Sequence, residues 1–161
     1  MKKHVRILMV AVFTLFSILE MNTLVVQGRD LFFWLNSEGT ASIVREYYHA
    51  PCLKLTTVII PSTVRYEGKE YSVTTIGHGA FSGCSGLTSV SIPNSVKTIC
   101  DGAFSGCSGL TSVTIPNSVT TMGDGAFGYC SGLTSVTMPN SVKYIHESAF
   151  SDCNYRLTSN C

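Results

Sequence analysis

Four cysteines, Cys84, Cys107, Cys130 and Cys153, recur at one spacing of 23 residues. Thiols on such a spacing could bind zinc, form disulfides or lie buried as small apolar groups. A zinc site needs ligands that converge on a tetrahedron, and a linear column does not converge. Stacked at a strand spacing of about 4.8 Å, their Cβ atoms fall slightly beyond the roughly 3.5–4.5 Å that a disulfide takes. The spacing therefore predicts a ladder of buried free thiols. Cys52, Cys100 and Cys161 lie off that column. Seven cysteines is an odd number, so at least one thiol stays free or pairs between chains. Cys153 and Cys161 are candidates for a disulfide that closes the C-terminal end.

Other strings invite catalysis and fail on inspection. His78, Asp101, Asp124 and Glu147 form a second column, whose three acids could share a hard cation. The plainer expectation is a solvated turn. Gly123, Gly125 and Gly128 match the dinucleotide string G-x-G-x-x-G. One unit earlier the same positions hold Cys100, Gly102 and Ser105, and no long helix follows to meet a pyrophosphate. His146-Glu147 opens like a zinc-protease motif, but Phe150 stands where the second histidine belongs. Gly83-Cys84-Ser85-Gly86 resembles a nucleophile turn. It repeats at Gly106–Gly109, and no histidine repeats with it as a base. No catalytic residue, metal site or cofactor is expected.

What positions all of these residues is an internal repeat. Phe81, Phe104, Phe127 and Phe150 share the 23-residue spacing, as do Leu87, Leu110 and Leu133, and Val90, Val113 and Val136. Pro93, Pro116 and Pro139 follow, each before Asn-Ser-Val. Leu110–Ile115 is β-branched and partly alternating, which predicts a strand with Val and Ile inward. Pro116-Asn117-Ser118 supplies turn chemistry. Val119–Met122 is a second short extended segment, and Ala126-Phe127 drives an aromatic inward after the turn at Gly123–Gly125. A single coil cannot bury its own apolar face, so coils must stack, like side chain over like.

The pattern F-x-x-C-x-x-L-x-x-V-x-I-P-x-x-V-x-x-I resembles the BspA-like leucine-rich repeats of bacterial surface proteins. Ile60-Pro61-Ser62-Thr63-Val64, with Tyr66–Gly77, is similar to that family's first coil. The resemblance runs from about Thr57 to Cys153. It implies a secreted or cell-surface protein with a role in adhesion or protein binding, and no catalytic residue. The expected fold is mainly β: a right-handed leucine-rich-repeat solenoid of 23-residue coils with short parallel strands and an N-terminal β-hairpin cap.

The non-repeating segments complete the layout. Met1–Arg6 is basic, Ile7–Leu19 is apolar or small, and polar residues follow, which reads as a secretory signal peptide over residues 1–28 cleaved after Gly28. Thirteen apolar residues at about 1.5 Å each reach roughly 20 Å, short of a bilayer core of about 30 Å, so no membrane span is expected in the mature chain. Residues 29–59 form an N-terminal β cap, in which Leu31–Leu35, a turn at Asn36–Gly39, and Thr40–Arg45 make a hairpin. The solenoid covers residues 60–153. After Cys153 the spacing slips, so that Leu157 falls one past the leucine column, and residues 154–161 form a partial coil. That weak end is a candidate edge for homo-oligomerisation.

Charge limits the partners. Cleavage removes Lys2, Lys3, Arg6 and Glu20, leaving 8 basic and 9 acidic residues (11 less 3, 10 less 1), a net charge near −1. No basic stripe remains for nucleic acid. The candidate contact face is the outward side of the main strands: Thr88, Ser89 and Ser91; Thr111, Ser112 and Thr114; Thr134, Ser135 and Thr137. Tyr129, Tyr144 and Tyr155 are secondary candidates. Uniform hydroxyls suit a protein or glycan ligand of repetitive character. The face measures about 300–400 Å², against about 800 Å² for a standard partner surface, so single copies bind weakly.

Overall fold

The computed structural model describes residues 3–5, 31–44, 55–154 and 156–159. The apolar run of the expected signal peptide, the cleavage site and Tyr155 lie outside the described residues. Among those described, none is helical, and no helix is long and apolar enough to cross a membrane.

Parallel strands on two sides of a common core carry the stack. The back sheet contains eight strands. Its spine runs from β3 (Thr40–Val44) to β6 (Lys69–Ile76), β8 (Thr98–Ile99), β10 (Thr121–Met122) and β12 (Tyr144–Ile145), all in parallel. Thr75, Thr98, Thr121 and Tyr144 align, as do Ile76, Ile99, Met122 and Ile145. The front is built from β4 (Thr57–Ile59) paired with β7 (Ser89–Ser91), and from β9 (Ser112–Thr114), β11 (Ser135–Met138) and β13 (Arg156–Ser159). Thr57–Ile59, which the sequence reading places in the cap, is the front strand of the first coil.

A hairpin closes the N-terminal end. β2 (Phe32–Leu35) runs antiparallel to β3, and β1 (Lys3–Val5) adds antiparallel to β2. The turn between β2 and β3 follows from Asn36, whose Oδ1 accepts the N–H groups of Glu38 at 3.0 Å and Thr40 at 2.9 Å. Gly39 at φ 83° supplies the left-handed step. The first coil is longer than the others. Its front strand pairs at an offset of 32 (57 to 89) and its back strand at 23 (75 to 98), so nine extra residues lie between them. They form the projecting hairpin of β5 (Thr63–Tyr66) with the start of β6.

The core is made of stacked columns. Phe81, Phe104, Phe127 and Phe150 lie ring over ring, with centroids 5.1, 4.9 and 5.3 Å apart and planes within 9°. Leu87, Leu110 and Leu133 are buried, as are Ala103, Ala126 and Ala149. Beside the rings, the N–H groups of Phe81, Phe104 and Phe127 donate to the carbonyls of Ala103, Ala126 and Ala149, each at 2.7 Å, so the turns too are hydrogen-bonded from coil to coil. Close approach is enforced by the second glycine of Gly-Cys-Ser-Gly. A Cβ on Gly109 would sit 2.6 Å from the carbonyl oxygen of Ser85.

Two sequence expectations need correction here. Leu157 was expected one place beyond the leucine column, but β13 pairs with β11 at an offset of 21, setting Leu157 opposite Val136. The last segment reaches the front sheet two residues early and enters the valine row. The thiol ladder is the second. Cys107, Cys130 and Cys153 are free, whereas Cys84 is in a disulfide. With Cys153 free, the Cys153–Cys161 bond is not formed. The pairing of Thr57 with Ser89 sets an offset of 32 in the first front pair, and in the sequence Cys52 stands 32 residues before Cys84. Cys52 lies outside the described residues.

Candidate functional site

The chemistry of the turns is spent on the stack itself. Cys107, Cys130 and Cys153 donate their thiols to the carbonyl oxygens of Phe81, Phe104 and Phe127, at 3.3, 3.2 and 2.9 Å. Each satisfies a carbonyl of the coil before. Proximity to Cys107 and burial hold the Cys130 thiol far above the ordinary thiol range, and burial pushes that of Cys153 up to about 11. Both are protonated at neutral pH, which leaves neither as a thiolate nucleophile.

The acid column behaves similarly. Asp101 Oδ1 accepts the backbone N–H of Asp124 at 2.9 Å, and Asp124 accepts the hydroxyl of Ser148 in the next coil. His78 lies 3.4 Å from Asp101, and His146 lies 3.5 Å from Asp124. Among the described residues no group of three or more such side chains could hold a metal ion. Gly123 has a packing reason: a Cβ there would collide with the Asp101 carboxylate and sit 2.6 Å from its backbone nitrogen.

The hydroxyl face is where the stack leaves something open. Among the described residues no ladder joins β7 to β9, although these strands lie side by side. The Thr88 hydroxyl donates to Thr56 O at 2.9 Å and the Thr134 hydroxyl to Thr111 O at 3.1 Å, while no such bond links Thr111 to Thr88. Val90 is only half-buried, in contrast to Val113 and Val136, which are buried. The result is an open groove of about 560 Å³ running from β7 across β9 to β11. Its lining is Ser89, Ser91, Ser112, Thr114 and Thr137, the amides of Asn94 and Asn117, and the apolar Val90, Ile92, Ile115, Pro116 and Pro139. No charged side chain is among them.

Five of the nine expected face residues therefore meet in one depression. Thr88, Thr111, Thr134 and Ser135 lie outside it, and two of their hydroxyls are held by backbone carbonyls. Sequence reasoning missed the asparagines. The signal was present, since Asn94, Asn117 and Asn140 recur after the strand in three successive coils and directly adjoin the hydroxyl rows. Tyr129 and Tyr144 are 64% and 71% exposed and do not line the groove. Tyr129 holds φ 58° at the position where Gly83 and Gly106 hold 75° and 73°. A bulky residue in the left-handed region costs about 1–2 kcal/mol.

A groove with hydroxyls, amides and short apolar walls can hydrogen-bond and pack, but offers no acid, base or metal ligand for a reaction. Comparison with known proteins agrees on the architecture. The description "BspA type Leucine rich repeat region" matches in six copies over residues 41–159. A leucine-rich repeat protein of Bacteroides capillosus superposes with a TM-score of 0.69 at 28% identity, covering 81% of this chain and 94% of that one. The T. pallidum leucine rich repeat protein gives 0.59 at 26% identity, covering 76% of this chain and 64% of that one. A leucine rich cell surface protein of Faecalibacterium prausnitzii shares the fold, with a TM-score of 0.59 at 24% identity, covering 82% of this chain and 38% of that one. The chain thus spans under two thirds of the T. pallidum protein. No curated protein matches it.

Proposed function

The chain belongs to the BspA-type leucine-rich-repeat family, and on that basis we propose that it is an exported, non-catalytic binding module that holds a neutral ligand, a glycan or a protein segment, against its hydroxyl face in an adhesion role at the cell surface. The observation that carries this reading is the groove between β7 and β9, which gathers hydroxyls from three coils with two amides and no charge. A charged ligand would find no counter-ion there.

Export is supported by the basic and apolar N-terminus and by the disulfide at Cys84, since structural disulfides persist in oxidising compartments. Cleavage after Gly28 removes β1 and leaves β2 as the outer strand of the cap. The F. prausnitzii neighbour is itself described as a cell surface protein. The groove is small beside a standard interface, so useful adhesion comes from many copies acting together.

The test is surface plasmon resonance of the purified chain over immobilised neutral glycans and matrix proteins. A ligand of this face binds the native chain and loses at least tenfold in affinity with Thr114→Arg, which fills the groove from an exposed position. Binding that is indifferent to Thr114→Arg, or confined to anionic ligands, sinks the reading. Protease applied to intact cells tests the location, because an exported surface chain is degraded and an internal one is not.

A further inference from the structure

The stack is finished differently at its two ends. At the N-terminal end Leu31, Phe33 and Leu35 of the cap are buried. At the C-terminal end the front sheet gains β13, but among the described residues nothing pairs with the outer edge of β12. The inward column shows the consequence: Ile76 and Ile99 are fully buried, Met122 is 2% exposed, and Ile145 is 47% exposed.

The backbone of that edge is oriented for pairing. Tyr144 N–H donates to Thr120 O and His146 N–H to Met122 O, each at 3.1 Å. Successive residues of a strand turn their amides to opposite sides, so the N–H and C=O of Ile145 face away from β10. An antiparallel partner centred on Ile145 meets both groups in one hydrogen-bonded pair.

The sequence of the edge, Lys143-Tyr144-Ile145-His146-Glu147, complements itself in that register. Positions that sum to 290 lie opposite, setting Lys143 against the partner's Glu147 and Tyr144 against the partner's His146. Parallel in-register pairing would instead line up like charges. We propose that two copies of this chain join tail to tail through β12, as a closed two-fold dimer centred on Ile145 and not as a head-to-tail filament. The dimer presents two hydroxyl faces and is independent of what those faces bind.

Sedimentation equilibrium of the purified chain over a wide concentration range tests this. The expected result is a monomer–dimer equilibrium with no larger species. Ile145→Lys, at an already half-exposed position, weakens dimerisation at least tenfold, with an unchanged circular dichroism spectrum showing that the fold persists. Lys143→Glu alone weakens it by placing two acids opposite one another, and the double variant Lys143→Glu with Glu147→Lys restores it. A monomer at every concentration overturns the proposal. So does mass that keeps growing beyond the dimer, or a double swap that fails to restore what the single swap lost.

Discussion

The thiol of Cys130 donates to the carbonyl oxygen of Phe104, 26 residues back and one coil down, at 3.2 Å. Cys107 and Cys153 do the same for Phe81 and Phe127. The column thus fills a small apolar slot and satisfies a carbonyl beside the aromatic stack. Replacing Cys130 by Ala removes this bond, while the Phe104 carbonyl keeps the N–H of Cys107 at 3.2 Å, so about 0.5–1.5 kcal/mol should be lost. Urea denaturation of Cys130→Ala should show this as a lower midpoint with an unchanged slope.

The same thiols set an alkaline limit. Cys130 and Cys153 are raised above the ordinary 9.0, Cys153 to about 11. The unfolded chain therefore releases these protons first as pH rises. Their contribution to stability is whole below about pH 9 and fades as pH climbs toward 11. Melting temperature measured from pH 7 to 11 should fall across that upper window, and less steeply in a Cys130→Ala/Cys153→Ala variant.

Phe127 lies between Phe104 and Phe150 and is fully buried. Phe127→Ala removes a ring that touches both neighbouring coils, and about 3–5 kcal/mol should be lost. Chemical denaturation measures it. A loss below 1 kcal/mol would mean that the rings do not carry the stack.

Tyr129 offers a change of the opposite sign. Glycine takes its left-handed backbone without the Cβ penalty, as Gly83 and Gly106 do in the coils before. Tyr129→Gly should stabilise the chain by about 1 kcal/mol, which raises the melting temperature of a chain of this size by about 2–4 °C.

Cys84 predicts a specific peptide. Among the cysteines, Cys100, Cys107, Cys130 and Cys153 are free. Of the remaining two, Cys52 shares the 32-residue offset of the first front pair. Mass spectrometry of the non-reduced digest should recover Cys52 linked to Cys84. A Cys84–Cys161 link would remove the register argument.

Much of this architecture is legible in the chain because a repeat states each contact several times. The phenylalanine column, the inward Val rows and the turn at Pro-Asn-Ser all follow from one 23-residue word. What escaped notice breaks that word. Leu157 enters the valine row because the last segment is two residues short, and Cys52 stands 32 residues before Cys84, off the 23-residue spacing. The groove escaped for the opposite reason. Ser89-Val90-Ser91 and Ser112-Val113-Thr114 are nearly the same sequence, so nothing local tells which pair of strands parts. That choice is made by the packing of whole coils.

The constancy of the 23-residue offset from β8 to β12 bears on how such a chain can change over generations. A unit excised between any two matching phenylalanines would bring together surfaces that already fit, and a duplicated unit would insert as readily. Reach and valency could therefore be altered by unequal recombination alone, while the hairpin at one end and the Lys143–Glu147 edge at the other are inherited intact.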